Sequence, residues 1–260
     1  MKKVSLLAVL ALLAMSALAY AQVAQDNVYA VSGKVAPSKS GTPKKPTPVG
    51  LSFGFTVNEA NGRRPASIQK YAIKFDGLVA NTNKFPTCTF TQINSAGNPN
   101  ACKSGSLVGE GVIKAKAGNQ ANPDDQSVNC SQRLRVYNGG KNKLVLFING
   151  SPTETNPDYQ CDVEIAKPID ASLVRSGSGK NLATSLNFTL PPELINNLGL
   201  AIAVKDVRST IKKLTKKTSV RTYGFFESVG GCKQSKRAIT VTFTDTQGLS
   251  EKSQRTVACS

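Results

Sequence analysis

Arg237-Ala238-Ile239-Thr240-Val241-Thr242-Phe243-Thr244 alternates without a break. Ile239, Val241 and Phe243 fall on one side, and Ala238, Thr240, Thr242 and Thr244 on the other. A period of two with many β-branched residues reads as a strand with one buried face. Asp245-Thr246-Gln247-Gly248 supplies turn residues, and Glu251 to Cys259 can return as the partner strand. Folding the chain about that turn sets Cys232 nearly opposite Cys259.

A second hairpin follows the same logic. Arg133 to Tyr137 alternates, Asn138-Gly139-Gly140 is read as the turn, and Lys143 to Ile148 returns. The unbroken apolar run Leu144 to Ile148 predicts a strand buried on both faces. Further strands are expected over 28–35, 49–57, 68–75, 108–114, 162–166, 182–190, 200–207 and 219–226. Helix is scarce: Pro191 to Gly199 could form one or two turns. The expected fold class is all-β, an antiparallel β-sandwich (immunoglobulin-like or related), disulfide-linked and with little helix.

The N-terminus reads differently. Lys2 and Lys3 precede an apolar run, Val4 to Met15, and then the small-residue stretch Ser16 to Ala21. This is the plan of a signal peptide over residues 1–21, with Ala19-Tyr20-Ala21 as the cleavage site and Gln22 as the mature start. The run is too short to span a bilayer, which takes about 20 residues. The expected location is therefore secreted, extracellular or cell envelope, with no membrane span. Without those two lysines the net charge falls from +17 to +15. Residues 22–260 suffice for a single β-sandwich domain or two closely packed subdomains, with a boundary near 176–180 at Ser176-Gly177-Ser178-Gly179. The stretch 37–48 carries four prolines and three lysines and no large apolar residue, so it is expected to be an extended, mobile loop.

Six cysteines in an exported chain read as disulfides. No close Cys pair and no histidine is present to build a zinc site, so neither metal nor cofactor is expected. Fifteen pairings are open. Sequence neighbours make three loops, Cys88–Cys102, Cys130–Cys161 and Cys232–Cys259, and the last two each enclose an expected hairpin. Such loops contribute roughly 3 kcal/mol each in the chain-entropy model.

The absence of histidine removes Ser-His-Asp and Cys-His catalysis and the usual neutral-pH base. Carboxylates remain. Asp162 and Glu164 would share one face of a short strand, a geometry for paired acids, or equally an ordinary solvated face. Asp124-Asp125 is read as a turn pair, lacking the neighbouring oxygens of a calcium loop. Ser209-Thr210-Ile211-Lys212 fits S-x-x-K, but its K-T partner lies only a few residues on, so the match is read as chance.

Charge is the strongest functional clue. Lys205, Arg208, Lys212, Lys213, Lys216, Lys217 and Arg221 stand against the single acid Asp206. Residues 209–218 are read as a cationic loop between two strands, a patch that attracts anionic cell-wall polymer or polysaccharide in a salt-dependent way. The plainer account is a lysine-rich solvated surface. Specific nucleic-acid binding is not expected, since aromatics are sparse beside the basic residues. Tryptophan, the usual sugar-stacking platform, is absent.

Three segments carry a resemblance: Phe85-Pro86-Thr87-Cys88, the run Cys102 to Gly111 (Cys-Lys-Ser-Gly-Ser-Leu-Val-Gly-Glu-Gly), and the run Tyr223 to Cys232. In these the chain resembles a group of exported bacterial β-rich proteins of unknown function. Relatives tend to have Cys-Pro where this chain has Cys102-Lys103. The resemblance implies export, a β-sandwich and a Cys88–Cys102 bridge around a loop, and it implies no activity.

The expected function is an exported, non-catalytic structural or interaction protein whose cationic loop contacts an anionic envelope polymer. Two other classes make distinct structural demands. A carboxylate-dependent glycan-active enzyme needs a deep cleft with two acids. A sandwich that carries an apolar ligand needs a lined cavity between its layers.

Overall fold

The computed structural model describes residues 26–260, and the expected signal peptide lies outside them. The strands are β1 (Asn27–Ala36), β2 (Thr47–Glu59), β3 (Ile68–Asp76), β4 (Leu78–Ala80), β5 (Leu107–Asn119), β6 (Val128–Gly140), β7 (Lys143–Gly150) and β8 (Ile165–Ser176). They continue as β9 (Ala183–Thr189), β10 (Asn196–Asn197), β11 (Leu200–Ile211), β12 (Thr215–Lys217), β13 (Thr222–Gly224), β14 (Phe226–Ser228), β15 (Lys236–Asp245) and β16 (Ser250–Ala258). One α-helix, α1 (Phe90–Ala96), lies between β4 and β5.

The fold is all-β, antiparallel and sandwich-like. Its layers are halves of a single 14-stranded sheet, ordered β16-β15-β3-β9-β8-β7-β6-β5-β11-β2-β14-β4, with β1 also on β2 and β10 on β11. The sheet curls until its two ends meet. There β1 runs beside β16, with Ser253 Oγ donating to Tyr29 O (3.2 Å) and the Ser260 amide to Ser38 O (3.2 Å). The expected boundary falls at the end of β8 and in the connection 177–182 to β9, and these two strands pair directly.

Alternation puts one face of every long strand inside. In β15, Ile239, Val241 and Phe243 are fully buried, and Phe243 stacks on Tyr29 (centroids 4.3 Å) and meets Phe55 edge-on (5.2 Å). Ring pairs of this kind add about 0.5–1.5 kcal/mol beyond area burial. β7 is buried on both faces, and the reason lies outside the sheet. Leu144, Leu146 and Ile148 enter the main core, while Val145 and Phe147 pack under Ile93 of α1 and Cys88. The Cys88–Cys102 disulfide closes the segment that carries this cover. The other bridges are Cys130–Cys161 and Cys232–Cys259.

The structure departs from the sequence reading in places with a physical cause. The β6–β7 turn is Lys141-Asn142, both at positive φ, not Asn138–Gly140. Asn138 is fully buried instead, and its amide donates to Thr82 O (2.8 Å) and Pro86 O (2.9 Å), stitching the covering loop to the sheet. The strand expected at 162–166 begins at Ile165 and runs to Ser176 through Pro168. Proline is tolerated there because Pro168 pairs only with Phe147 of β7; the β9 ladder starts at Ala171. Pro192–Leu194 is one 3₁₀ turn, and the chain then forms β10, which doubles back on β11. Helix α1 has a signal in Thr89-x-x-Gln92: the Thr89 hydroxyl accepts from the Gln92 amide (3.3 Å) and the Gln92 side chain accepts from the Thr89 amide (2.8 Å). The proline-rich stretch is a loop only to Pro46, since Thr47 and Pro48 belong to β2. It is fastened, with Ser40 Oγ donating to Gly230 O (3.3 Å) and the Ser40 amide to the Ser260 carbonyl.

Candidate functional site

The expected cationic loop over 209–218 is mostly strand. β11 continues to Ile211 because β5 and β2 hold its end from both sides. Thr215–Lys217 then pairs with Thr222–Gly224, and the intervening 218–221 form the turn. The expected strand 219–226 is broken at Phe225, whose ring is buried and whose amide donates to Leu214 O (2.9 Å). The basic segment is therefore a small two-stranded hairpin standing off the main sheet.

A lone hairpin is marginal in water, and here Arg221 anchors it. Its guanidinium grips Glu227 of β14 with two bonds, Nη1 to Oε1 at 2.6 Å and Nη2 to Oε2 at 3.0 Å. Glu227 Oε1 also accepts from the Gly224 amide (2.9 Å). Burial pushes the Glu227 carboxyl up, but the hydrogen bonds from Arg221 and Gly224 outweigh it and hold the group below the usual carboxylate range. Arg221 also lies over the Tyr223 ring at 3.9 Å, and Lys84 approaches the same ring at 5.2 Å.

The seven basic residues divide by partner. Arg208 pairs with Asp206 (2.9 Å), Lys212 with Glu110 (3.7 Å) and Arg221 with Glu227. Among the described residues, Lys205, Lys213, Lys216 and Lys217 have no carboxylate partner. Lys205 is half-buried beside a register shift in β11. Lys213, Lys216 and Lys217 are exposed, and Lys216 and Lys217, being adjacent on a strand, project from opposite faces of the hairpin.

The acids considered for catalysis do not form a pair. Asp162 and Glu164 precede β8 and lie in no strand; Asp162 accepts from the Asn129 amide (2.8 Å) and fixes the loop. Asp125 caps the β5–β6 turn, accepting from the Asn119 amide (2.6 Å) and the Ser127 amide (3.0 Å), bonds that hold its carboxyl below the usual range. Ser209 donates to Phe53 O (3.4 Å). No group of three or more metal-ligating side chains occurs among the described residues, and no helix of theirs is long and apolar enough to cross a membrane.

A second feature lies inside the molecule, and sequence reading supplied no residues for it. The curled sheet encloses a cavity of about 100 Å³. Its walls are apolar, for example Leu146, Ile169 and Phe188, with Tyr71, Gln132 and Ser209 as polar members. The chain matches no protein-family model, no curated protein and no solved structure.

Proposed function

We propose that this chain is an exported, non-catalytic interaction protein whose basic hairpin contacts an anionic polymer of the cell envelope or extracellular space. The observation that carries the reading is the set of exposed lysines, Lys213, Lys216 and Lys217, on and beside the anchored hairpin without carboxylate partners. Unpaired surface cations attract a polyanion over about a Debye length, roughly 10 Å at 0.1 M salt. The Arg221–Glu227 grip holds them in one place, so less order must be imposed when a polymer binds. Three disulfides and the absence, among the described residues, of a helix that could cross a membrane support an extracellular setting.

The test is retention on purified cell wall along a salt gradient. A variant with Lys212, Lys213, Lys216 and Lys217 changed to Ser should elute at clearly lower salt than wild type. A control with Lys70, Lys233, Lys236 and Lys252 changed to Ser loses the same charge elsewhere and should elute near wild type. Equal elution of the two variants would reduce the interaction to net charge and remove the hairpin from it.

A further inference from the structure

We infer that the interior cavity is a binding site for a small, largely apolar molecule carrying one hydrogen-bond acceptor. This stands apart from the hairpin reading, since the cavity lies within the curled sheet and the basic hairpin stands off it.

Protein interiors are packed as densely as organic crystals, with few voids larger than a water molecule. A space of about 100 Å³ is well beyond that. A cavity of about 150 Å³ takes benzene, so this one suits a smaller molecule, of about four or five non-hydrogen atoms. The lining is overwhelmingly aliphatic and aromatic, so a charged molecule would be excluded by desolvation.

The polar handle is Tyr71. Its side chain lines the cavity, and its hydroxyl is buried without a hydrogen-bond partner among the described residues. The ring cannot swing out to find one: it stacks on Phe188 (5.0 Å) and lies 5.5 Å from Phe55. A phenylalanine would fill the same space without burying an unmade hydrogen bond, which is expensive. A ligand acceptor would satisfy the tyrosine O–H. Gln132, 4 % exposed, offers a further donor and acceptor to the same lining. Phe188, Ile202 and Val204 of the lining are only partly buried.

The probes are butanone and 2-methylbut-1-ene, a near-isosteric pair differing in carbonyl against methylene, titrated into the oxidised mature protein by calorimetry and methyl NMR. Butanone should bind saturably at one site, about tenfold tighter than 2-methylbut-1-ene, the size of one buried hydrogen bond. Tyr71→Phe should bring the two within about twofold. Ala115→Leu, which fills space from a lining position, should abolish both while the circular dichroism spectrum is kept. Should either variant fail to fold, the wild-type methyl shifts decide: they must centre on Leu146 and Ile169. Absence of saturation at millimolar probe, full binding to a folded Ala115→Leu protein, a preference that survives Tyr71→Phe, or shifts confined to the surface would each overturn the inference.

Discussion

Two antiparallel hairpins in this molecule are held by opposite means. In β6–β7 both strands lie inside the sheet, flanked by β5 and β8, and the residues from Leu144 to Ile148 are buried on both faces. In β12–β13 the strands pair only with each other, all of β12 is exposed, and the polar ties to the rest of the chain include the Arg221–Glu227 ion pair, the Gly224 amide on Glu227 and the Asn81 side-chain amide on the Gly224 carbonyl. The first hairpin is an outcome of apolar burial, which is non-directional and large. The second depends on a few directional contacts, chiefly the Arg221–Glu227 ion pair, so it is both less stable and freer to carry a charged sequence. A binding element suits the second kind of support, because function there needs exposed lysines that a core would reject.

The largest expected effect breaks the first hairpin. Phe147, 1 % exposed, fills the space between the sheet and α1, with Arg135 over its ring at 5.1 Å. Phe147→Ala should cost about 3–5 kcal/mol in equilibrium denaturation under oxidising conditions. A loss below about 1 kcal/mol would mean that α1 and its loop do not clamp the sheet. Salt elution from cell wall should not move.

The next effect breaks the anchor of the second. Arg221→Ala leaves the buried Glu227 carboxylate without its partner, at about 2–3 kcal/mol. The damage should stay local: hydrogen exchange should speed up over Thr215–Gly224 and remain slow in β6 and β7. Acid should imitate the variant. The folded Glu227 carboxyl sits below its unfolded value, about 4.3 for a free Glu. Its contribution is therefore whole above that value and lost as pH falls through the folded one. Glu59 titrates in the same direction: hydrogen bonds from Arg63 hold it at about 2. Glu227→Gln isolates the hairpin, because it should flatten acid loss of protection over Thr215–Gly224 while Glu59 still titrates. Unchanged acid sensitivity in that variant would place the acid-labile contact elsewhere.

The same contrast explains what could be read without coordinates. Period-two alternation located most long strands, because a half-buried face writes itself into every second residue; Ile239, Val241 and Phe243 are the plainest case. The run Leu144 to Ile148 disclosed burial on both faces, but not what lay on the second; α1 was announced only by the Thr89–Gln92 spacing and the Gly97 stop. Lys-rich β12 has no apolar alternation to betray a strand, since nothing covers it, and its pairing follows from a contact with Glu227 that no local pattern encodes. Tyr71 looks in sequence like any inward residue of β3. That its hydroxyl finds no partner among the described residues depends on the nine strands that line the cavity, so the cavity had no linear signature.

The smallest expected effect separates binding from stability within the exposed hairpin. Changing Lys212, Lys213, Lys216 and Lys217 to Ser removes four charges from a surface with few compensating acids. Among the described residues, only Lys212 of the four has a carboxylate within reach, at 3.7 Å and largely in solvent, and such pairs contribute little, about 0–1 kcal/mol. Removing mutual repulsion acts the other way by a similar amount. The ladder bonds of β12 are made by backbone and survive, and serine and lysine differ little in strand preference. Unfolding free energy should therefore stay within about 0.5 kcal/mol of wild type, measured in the same denaturant series as Phe147→Ala. If the four lysines instead prove worth 2 kcal/mol or more, their side chains hold the hairpin in place, and the division drawn between an anchoring Arg221 and free lysines fails. With stability flat and elution shifted to lower salt, the hairpin is an element whose composition is set by what it contacts and not by how it folds.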